Sequence, residues 1–499
     1  MTRTLASGAA WFVGLATALT CAVGVAAAAP IPSVPAGPGV PEFLGAPATP
    51  APVSGVTPAP QHPFLANTGD SGIHNDGWMS DTYTRPGPLG VGTRVDSLLL
   101  ASECGSIAFD RAGRIVATCI GASTGLYLID PTTLTVLGSH PLPGRNALDL
   151  LKPGAFSNFG GGGYFYLDNR DRAVIGTNTG HLLVFAQTPA ADGFVVERDY
   201  DLTSVLRPGE TLNSALPDSD GLIWFVAKTN GVVGTLDPDS GAIHVLRLGE
   251  GENGQIENSF AVGANGDVYV ATNRELLRFD AGADGAPEIT WRVVYANSGQ
   301  RKPGQVDDGT GTTPTVLPDG YVAITDNADP MNVVVYRTAP DATDREVCAV
   351  PVFAPGASAT ENSLIGAGRS LIVENNFGYT GPQSTMFGRT TTPGFARVDI
   401  DADGQGCTLA WTNDTVAAPS VVPKLSLATG LIYTYTKGEQ PTDPWYWTAL
   451  DFRTGAVVFQ RLAGVGFGFN NNYAGLALGP DGAAYLGTLG GLISLRDAR

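Results

Sequence analysis

From about residue 95 onward the chain consists of short apolar runs separated by turns rich in Gly, Asp and Asn. Outside the first segment, no stretch keeps an apolar period of 3.6 residues over three turns, so helices are not expected. Short apolar runs bounded by such turns read as strands. The runs also repeat as a phrase. Asn258-Ser-Phe-Ala-Val-Gly-Ala-Asn-Gly-Asp-Val-Tyr-Val-Ala-Thr272 matches Gly475-Leu-Ala-Leu-Gly-Pro-Asp-Gly-Ala-Ala-Tyr-Leu-Gly-Thr488 in pattern. The same phrase occupies Gly105–Thr118, Gly163–Thr177, Asn213–Thr229, Thr313–Thr325, Asn362–Glu374 and Pro423–Thr436.

These are eight copies, spaced by about 53 residues, within the range of propeller blades. A third strand follows in each, such as Leu126–Asp130, Val232–Asp237, Leu276–Asp280, Val333–Arg337 and Thr448–Asp451. Most have a fourth, such as Val136–Pro141, Ile243–Leu248 and Val457–Leu462. The pattern predicts an all-β fold: a β-propeller of about eight four-stranded blades, or seven if one copy is a decorated loop. The last copy has only three strands. Val95–Ala101 is expected to complete it as its outer strand and so close the ring, which removes exposed edges. Two insertions, Gly378–Pro393 and Gly438–Trp445, fall between strands two and three of copies six and seven.

Three segments precede the propeller at 95–499. Residues 1–28 read as a secretory signal peptide: Arg3, an apolar run from Ala9 to Val25, then small residues through Ala29. Retention as an anchor is the alternative to cleavage. Residues 29–62 hold 10 Pro between positions 30 and 60 and read as an extended Pro/Ala-rich linker. Residues 63–94 read as an extension packed on the propeller. Export to the medium or cell envelope agrees with the cysteines. Without Cys21 there remain four, Cys104, Cys119, Cys348 and Cys407, an even number. The turn Asp110–Gly113 makes a hairpin whose register sets Cys104 opposite Cys119. Cys348 and Cys407 lie in the last strands of consecutive copies. The expected bridges are therefore Cys104–Cys119 and Cys348–Cys407.

Composition adds exclusions. Gly and Pro total 65 and 36 of 499 residues, charged residues are 15%, and the net charge is −18. The chain is too apolar to be disordered as a whole. It is too acidic for a nucleic-acid partner. No later segment is apolar enough for a transmembrane helix, and a monomer is expected.

The turns between strands three and four repeat Asp-x-x-[Thr/Ser]-Gly, as in Asp237–Gly241 and Asp451–Gly455. Ala449-Leu450-Asp451-Phe452-Arg453-Thr454-Gly455, with Phe459 beyond it, resembles the Ala-x-Asp-x-x-Thr-Gly-x-x-x-Trp repeat of the quinoprotein-type (PQQ-like) β-propeller superfamily. The resemblance implies the fold. Its quinone-dependent members hold the cofactor with adjacent cysteines, and this chain has none, so PQQ is not expected. A looser similarity to calcium-dependent lactonase propellers implies Glu, Asn and Asp around a central channel.

In a propeller, the loops entering strand one and leaving strand two surround the channel mouth. These positions hold Asn213, Glu257, Asn258, Glu361, Asn362 and Lys424 before strand one. Lys228, Asp326, Asn327, Glu374 and Asn375 follow strand two. Carboxylates and amides on one axis suit a small-molecule ligand. Glu257, Glu361 and Glu374 are also the candidate ligands for Ca²⁺, which takes six to eight oxygens. The only His–Asp cluster, His74-Asn75-Asp76 with Asp81, reads first as a loop packed on the propeller, with a metal or catalytic role as the alternative. No nucleophile elbow, Walker loop or zinc spacing is present. Three functions fit: ligand or metal binding at the channel mouth, a Ca²⁺-dependent hydrolase or oxidoreductase, and a cell-envelope scaffold for protein interaction.

Overall fold

A computed structural model describes residues 29–122, 124–144, 160–249 and 251–498. The signal-peptide expectation for 1–28 lies outside the described residues. Among these residues there are eight sheets of four or more strands, each with four antiparallel strands as its body, and the only helices are short 3₁₀ turns. Each sheet is one blade of a propeller, and the count is eight.

Blade 1 comprises Ser102–Phe109, Ile115–Gly121, Gly125–Ile129 and Val136–Pro141. Its innermost strand is almost wholly buried and its outermost strand alternates half-buried and exposed, as expected from the centre of a ring to its rim. Blade 8 joins Leu476–Leu478, Ala484–Thr488 and Gly491–Arg496 to Arg94–Leu99 from the other end of the chain. That outer strand pairs Arg94 with Arg496 and Leu99 with Gly491, so the ring closes as the unpaired strand implied.

Both disulfides form as expected. The reason for the first is not the one the register suggested. The hairpin pairs Phe109 with Ile115, one residue off the expected Phe109–Arg114, and a bulge at Gly105 then restores Cys104 opposite Cys119. Cys348 and Cys407 join the outermost strands of blades 5 and 6, Glu346–Pro351 and Cys407–Asn413. The Asp-x-x-[Thr/Ser]-Gly turns have the expected chemistry. Asp451 Oδ1 accepts the Arg453 and Thr454 amides and the Thr454 hydroxyl, while Gly455 has φ 69°. The third strand of blade 7 runs over Pro444–Asp451, earlier than the expected Thr448 start, because Trp445 and Trp447 are buried strand residues. The insertion there is accordingly shorter, at 438–443.

The segments before the propeller are bound to it. Residues 33–53 follow blade 7: Phe43–Gly45 pairs with its outer strand, and the Ala51 and Val53 amides donate to Thr429 and Leu427. Residues 65–83 then pass inside the ring. Carbonyls of Asp70, Ser71, Gly77, Trp78, Ser80, Asp81 and Tyr83 accept amides from the innermost strands of blades 1, 2, 4, 5, 6 and 7. Innermost strands would otherwise leave an unpaired edge along the channel. The threaded segment satisfies those amides and fills the channel floor. Lys424 anchors it: its ammonium pairs with Asp81 and donates to the Ile73 carbonyl, with both charged side chains 0% exposed.

Candidate functional site

The threaded segment leaves a cavity of about 210 Å³ at the channel mouth. Ile73 and His74 of that segment line it with Ala101, Ile120, Tyr164, Val422, Phe467, Tyr473 and Leu489, so much of the wall is apolar. The polar lining is Ser102, Glu103, Asn258, Glu361, Asn362, Ser363 and Asn472. The insertion of blade 6 supports one wall, where Tyr379 meets Tyr473 edge-on at 5.2 Å and donates to the Asn471 carbonyl at 3.1 Å.

The strongest electrostatic feature beside the cavity is an acidic cluster. Glu361 Oε2 accepts the Val306 amide at 3.0 Å, and Oε1 has no hydrogen-bond partner. Burial, then repulsion from Glu257, raises the Glu361 carboxyl well above its ordinary range. Glu257 is ion-paired to Lys228. Burial still raises it to about 7, against the lowering effect of Lys228 and with Asp307 adding repulsion. Lys228 also lies 3.6 Å from Asp307. The 295–314 connection that supplies Val306 and Asp307 approaches very closely. A Cβ at Gly311 would stand 1.8 Å from the Thr360 carbonyl oxygen. Only glycine permits that contact. Glu103, on the opposite wall, accepts the Asn472 amide at 2.6 Å, and burial raises its carboxyl strongly too.

Of the eleven candidates read from the sequence, Asn258, Glu361 and Asn362 line the cavity, and Glu257, ion-paired to Lys228, stands behind Glu361. The others hold the fold. Asn213 donates to the Glu257 and Asn258 carbonyls at 2.6 and 3.2 Å. Asp326 closes a turn on Ala328 and Asn332. Asn327 donates to Gln300 and Asp308 carbonyls. Asn375 bridges Ala357 and Ala359. Lys424 anchors the threaded segment. Glu374 faces the seam of blades 6 and 7, where Asn362 and Asn376 donate to Oε1 at 2.7 and 2.6 Å. Glu374 therefore does not join Glu257 and Glu361 as a donor set. Among the described residues no three His, Cys, Asp or Glu side chains are grouped to hold a metal. The Lys228 ammonium already occupies the charge of Glu257, so this set does not suit Ca²⁺. It does not suit PQQ by the cysteine-pair mode either, since Cys104, Cys119, Cys348 and Cys407 are in bridges.

Sequence reasoning missed Glu103, Asp307, Ser363 and Tyr473, and left His74 as a packed loop. A signal existed for Glu103, which lies one position from the register of Glu257, displaced by the bulge at Gly105. Asp307 lies between two repeats, where the pattern carries no register.

Glu374 gives a prediction. Burial raises its carboxyl from 4.5 to about 8, against the bonds from Asn376, Asn362 and Thr434. Between those values the folded protein keeps a proton that the unfolded chain has lost. Stability therefore falls as pH rises from 4.5 to about 8. Glu374→Gln keeps an acceptor for Asn362 and Asn376 and carries no titrating group. Its melting temperature should exceed that of the wild type at pH 8 and converge with it near pH 4.5. Calorimetry at both pH values checks this, and a gap independent of pH would refute it.

No family model matches the chain. An uncharacterized protein of Archaeoglobus fulgidus is similar, 27% identical over 323 residues, covering 58% of this chain and 62% of that protein. The match thus spans less than two thirds of the relative's length. Among solved structures, a catalytically inactive virginiamycin B lyase from Staphylococcus aureus with quinupristin, a β-propeller protein, aligns with TM-score 0.42 and 11% identity. It covers 81% of this chain and 100% of that one. A Chaetomium thermophilum protein, Sqt1, bound to the N-terminus of a ribosomal protein, aligns with TM-score 0.40 and 12% identity over 81% and 99% of the two chains.

Proposed function

We propose that this is an exported propeller whose channel-mouth cavity binds a small, mainly apolar molecule carrying a carbonyl or similar acceptor. The observation that carries this reading is a set of three buried, unpartnered polar atoms on an otherwise largely apolar wall, the acceptor Asn362 Oδ1 and two that can donate. Glu361 Oε1 and Asn258 Nδ2 make no hydrogen bond, although their residues are only 6% and 7% exposed. A buried polar atom without a partner costs about 1–3 kcal/mol, and a ligand acceptor would remove that cost at both. Glu361, protonated because of its burial and acidic neighbours, presents a donor. The cavity has the form usual for small-molecule sites, apolar with a few convergent polar groups. Export is supported by the two disulfides. The Ala449–Gly455 turn supports membership of the PQQ-like repeat superfamily.

Methyl octyl ketone is a suitable probe: apolar, with one carbonyl, and not hydrolysable. Ligand-observed NMR is expected to show saturable binding. Ile120→Trp, which puts an indole on the cavity wall, should abolish it. Glu361→Ala should weaken it about tenfold, the effect of one hydrogen bond of ~1.4 kcal/mol. Absence of saturable binding, or binding untouched by Ile120→Trp, would exclude the reading.

A further inference from the structure

We propose that Ser363, His74 and Asp81 form an acyl-transfer centre and that the cavity cleaves a small carboxylic ester or lactone. This rests on the binding reading above. Both oxygens of Asp81 lie near His74 Nδ1, at 3.0 and 3.1 Å. A carboxylate there fixes the proton on Nδ1 and leaves the Nε2 lone pair as the acceptor. Nε2 faces two hydroxyls, Ser363 Oγ and Thr313 Oγ1, each at 3.5 Å. Ser363 and His74 line the cavity and Thr313 does not, which selects Ser363 as the nucleophile. Ser363 Oγ accepts the Thr313 amide at 3.2 Å, so its own proton is free to turn toward Nε2. The distance is long for a finished hydrogen bond, as such pairs often are before substrate binds.

The support around the three side chains is rigid. Ser363 lies just before the innermost strand of blade 6, Ile365–Ala367. Asp81 is held by Lys424. The Tyr164 ring stacks beside His74, with centroids 6.3 Å apart and planes 28° apart. The nucleophile, the base and the residue that orients the base thus stand in the order required of such centres, whatever their order in the chain.

The reaction closes on these groups. Ser363 Oγ attacks the carbonyl carbon, its proton passes to His74 Nε2, and the carbonyl electron pair moves to oxygen. Asn258 Nδ2, the unpartnered donor on the same cavity, stabilises that oxyanion. Collapse breaks the carbon–alkoxide bond, and the alcohol leaves with the proton from Nε2. Water then attacks acyl-Ser363, giving its proton to Nε2. The carboxylic acid departs and Ser363 recovers the proton.

The test uses the mature protein with para-nitrophenyl butyrate and with an alkyl fluorophosphonate, the adduct being located by mass spectrometry. Ester hydrolysis and an adduct on Ser363 are expected in the wild type. Ser363→Ala should lose both. His74→Gln should lose roughly 10²- to 10⁴-fold in hydrolysis, the usual contribution of a general base. Ketone binding without any Ser363 adduct would overturn the acyl-transfer proposal and leave the binding reading standing. Loss of both in the wild type would overturn the two together. Hydrolysis by His74→Gln within threefold of the wild type would also overturn the mechanism.

Discussion

Lys424→Met is expected to destabilise the protein by about 3–5 kcal/mol, the usual cost of removing one partner from a buried ion pair. Asp81 and Lys424 are both fully buried, so neither can turn to water when its partner is removed. Desolvation already lowers the Lys424 ammonium from its ordinary value, even with Asp81 beside it. Without the ammonium, Asp81 keeps His74 as its remaining partner for a charge that solvent cannot reach. The Ile73 carbonyl loses its donor as well. Asp81→Asn removes the complementary charge and should be costly for the same reason. The double variant should be less destabilised than the sum of the single changes, because it leaves no unpaired charge. Urea unfolding at constant pH measures all three. Amide exchange should rise at Val316, Gly366 and Leu425, whose N–H groups donate to the threaded segment. A Lys424→Met variant within ~0.5 kcal/mol of the wild type, the range of an ordinary surface change, would refute this account.

Removal of the Cys348–Cys407 bridge, as the double Ser variant, should cost about 4 kcal/mol, since it closes a chain separation of 59 residues. Removal of Cys104–Cys119, with a separation of 15, should cost about 3 kcal/mol by the same relation. The longer bridge acts across two blades: the outer strands of blades 5 and 6 belong to separate sheets, so no ladder hydrogen bond ties them. The shorter joins residues that are already paired within one sheet. Both effects act mainly through the unfolded chain. Denaturant unfolding of the two double variants, with the wild type as reference, decides the point. A cost for the longer bridge no greater than for the shorter would contradict the chain-entropy explanation.

The fold was legible because each repeat carries its own local instruction. Asp451 and Gly455 specify a turn wherever they stand, and apolar runs such as Ile223–Ala227 can only be buried strands. Closure by the strand near Val95 followed from a missing strand in the last copy. The register of the first hairpin was legible only to within one residue, because a bulge at Gly105 has no signature in a single sequence.

The site was legible in part. Glu257, Asn258, Glu361 and Asn362 share a repeat position, and periodicity found them together. Periodicity also selected Asp326, Asn327 and Asn375, since a polar residue before or after a strand can equally bond its own neighbouring backbone. Asp307 lies in a connection that follows no repeat, whereas Tyr473 holds the Glu257 position of the last copy, where an aromatic residue carries no polar signal.

By itself, the sequence determined a propeller of about eight blades, its closure and the two bridges, because turns, alternation and strand count are local properties that add along the chain; the structure decided for eight over seven. Only the tertiary structure decided that residues 65–83 pass through the ring, that Lys424 meets Asp81, and that His74 comes within reach of Ser363. These residues are hundreds of positions apart, and no local preference relates them. They meet because the unpaired inner edges of the blades need hydrogen-bond partners and the threaded segment supplies them.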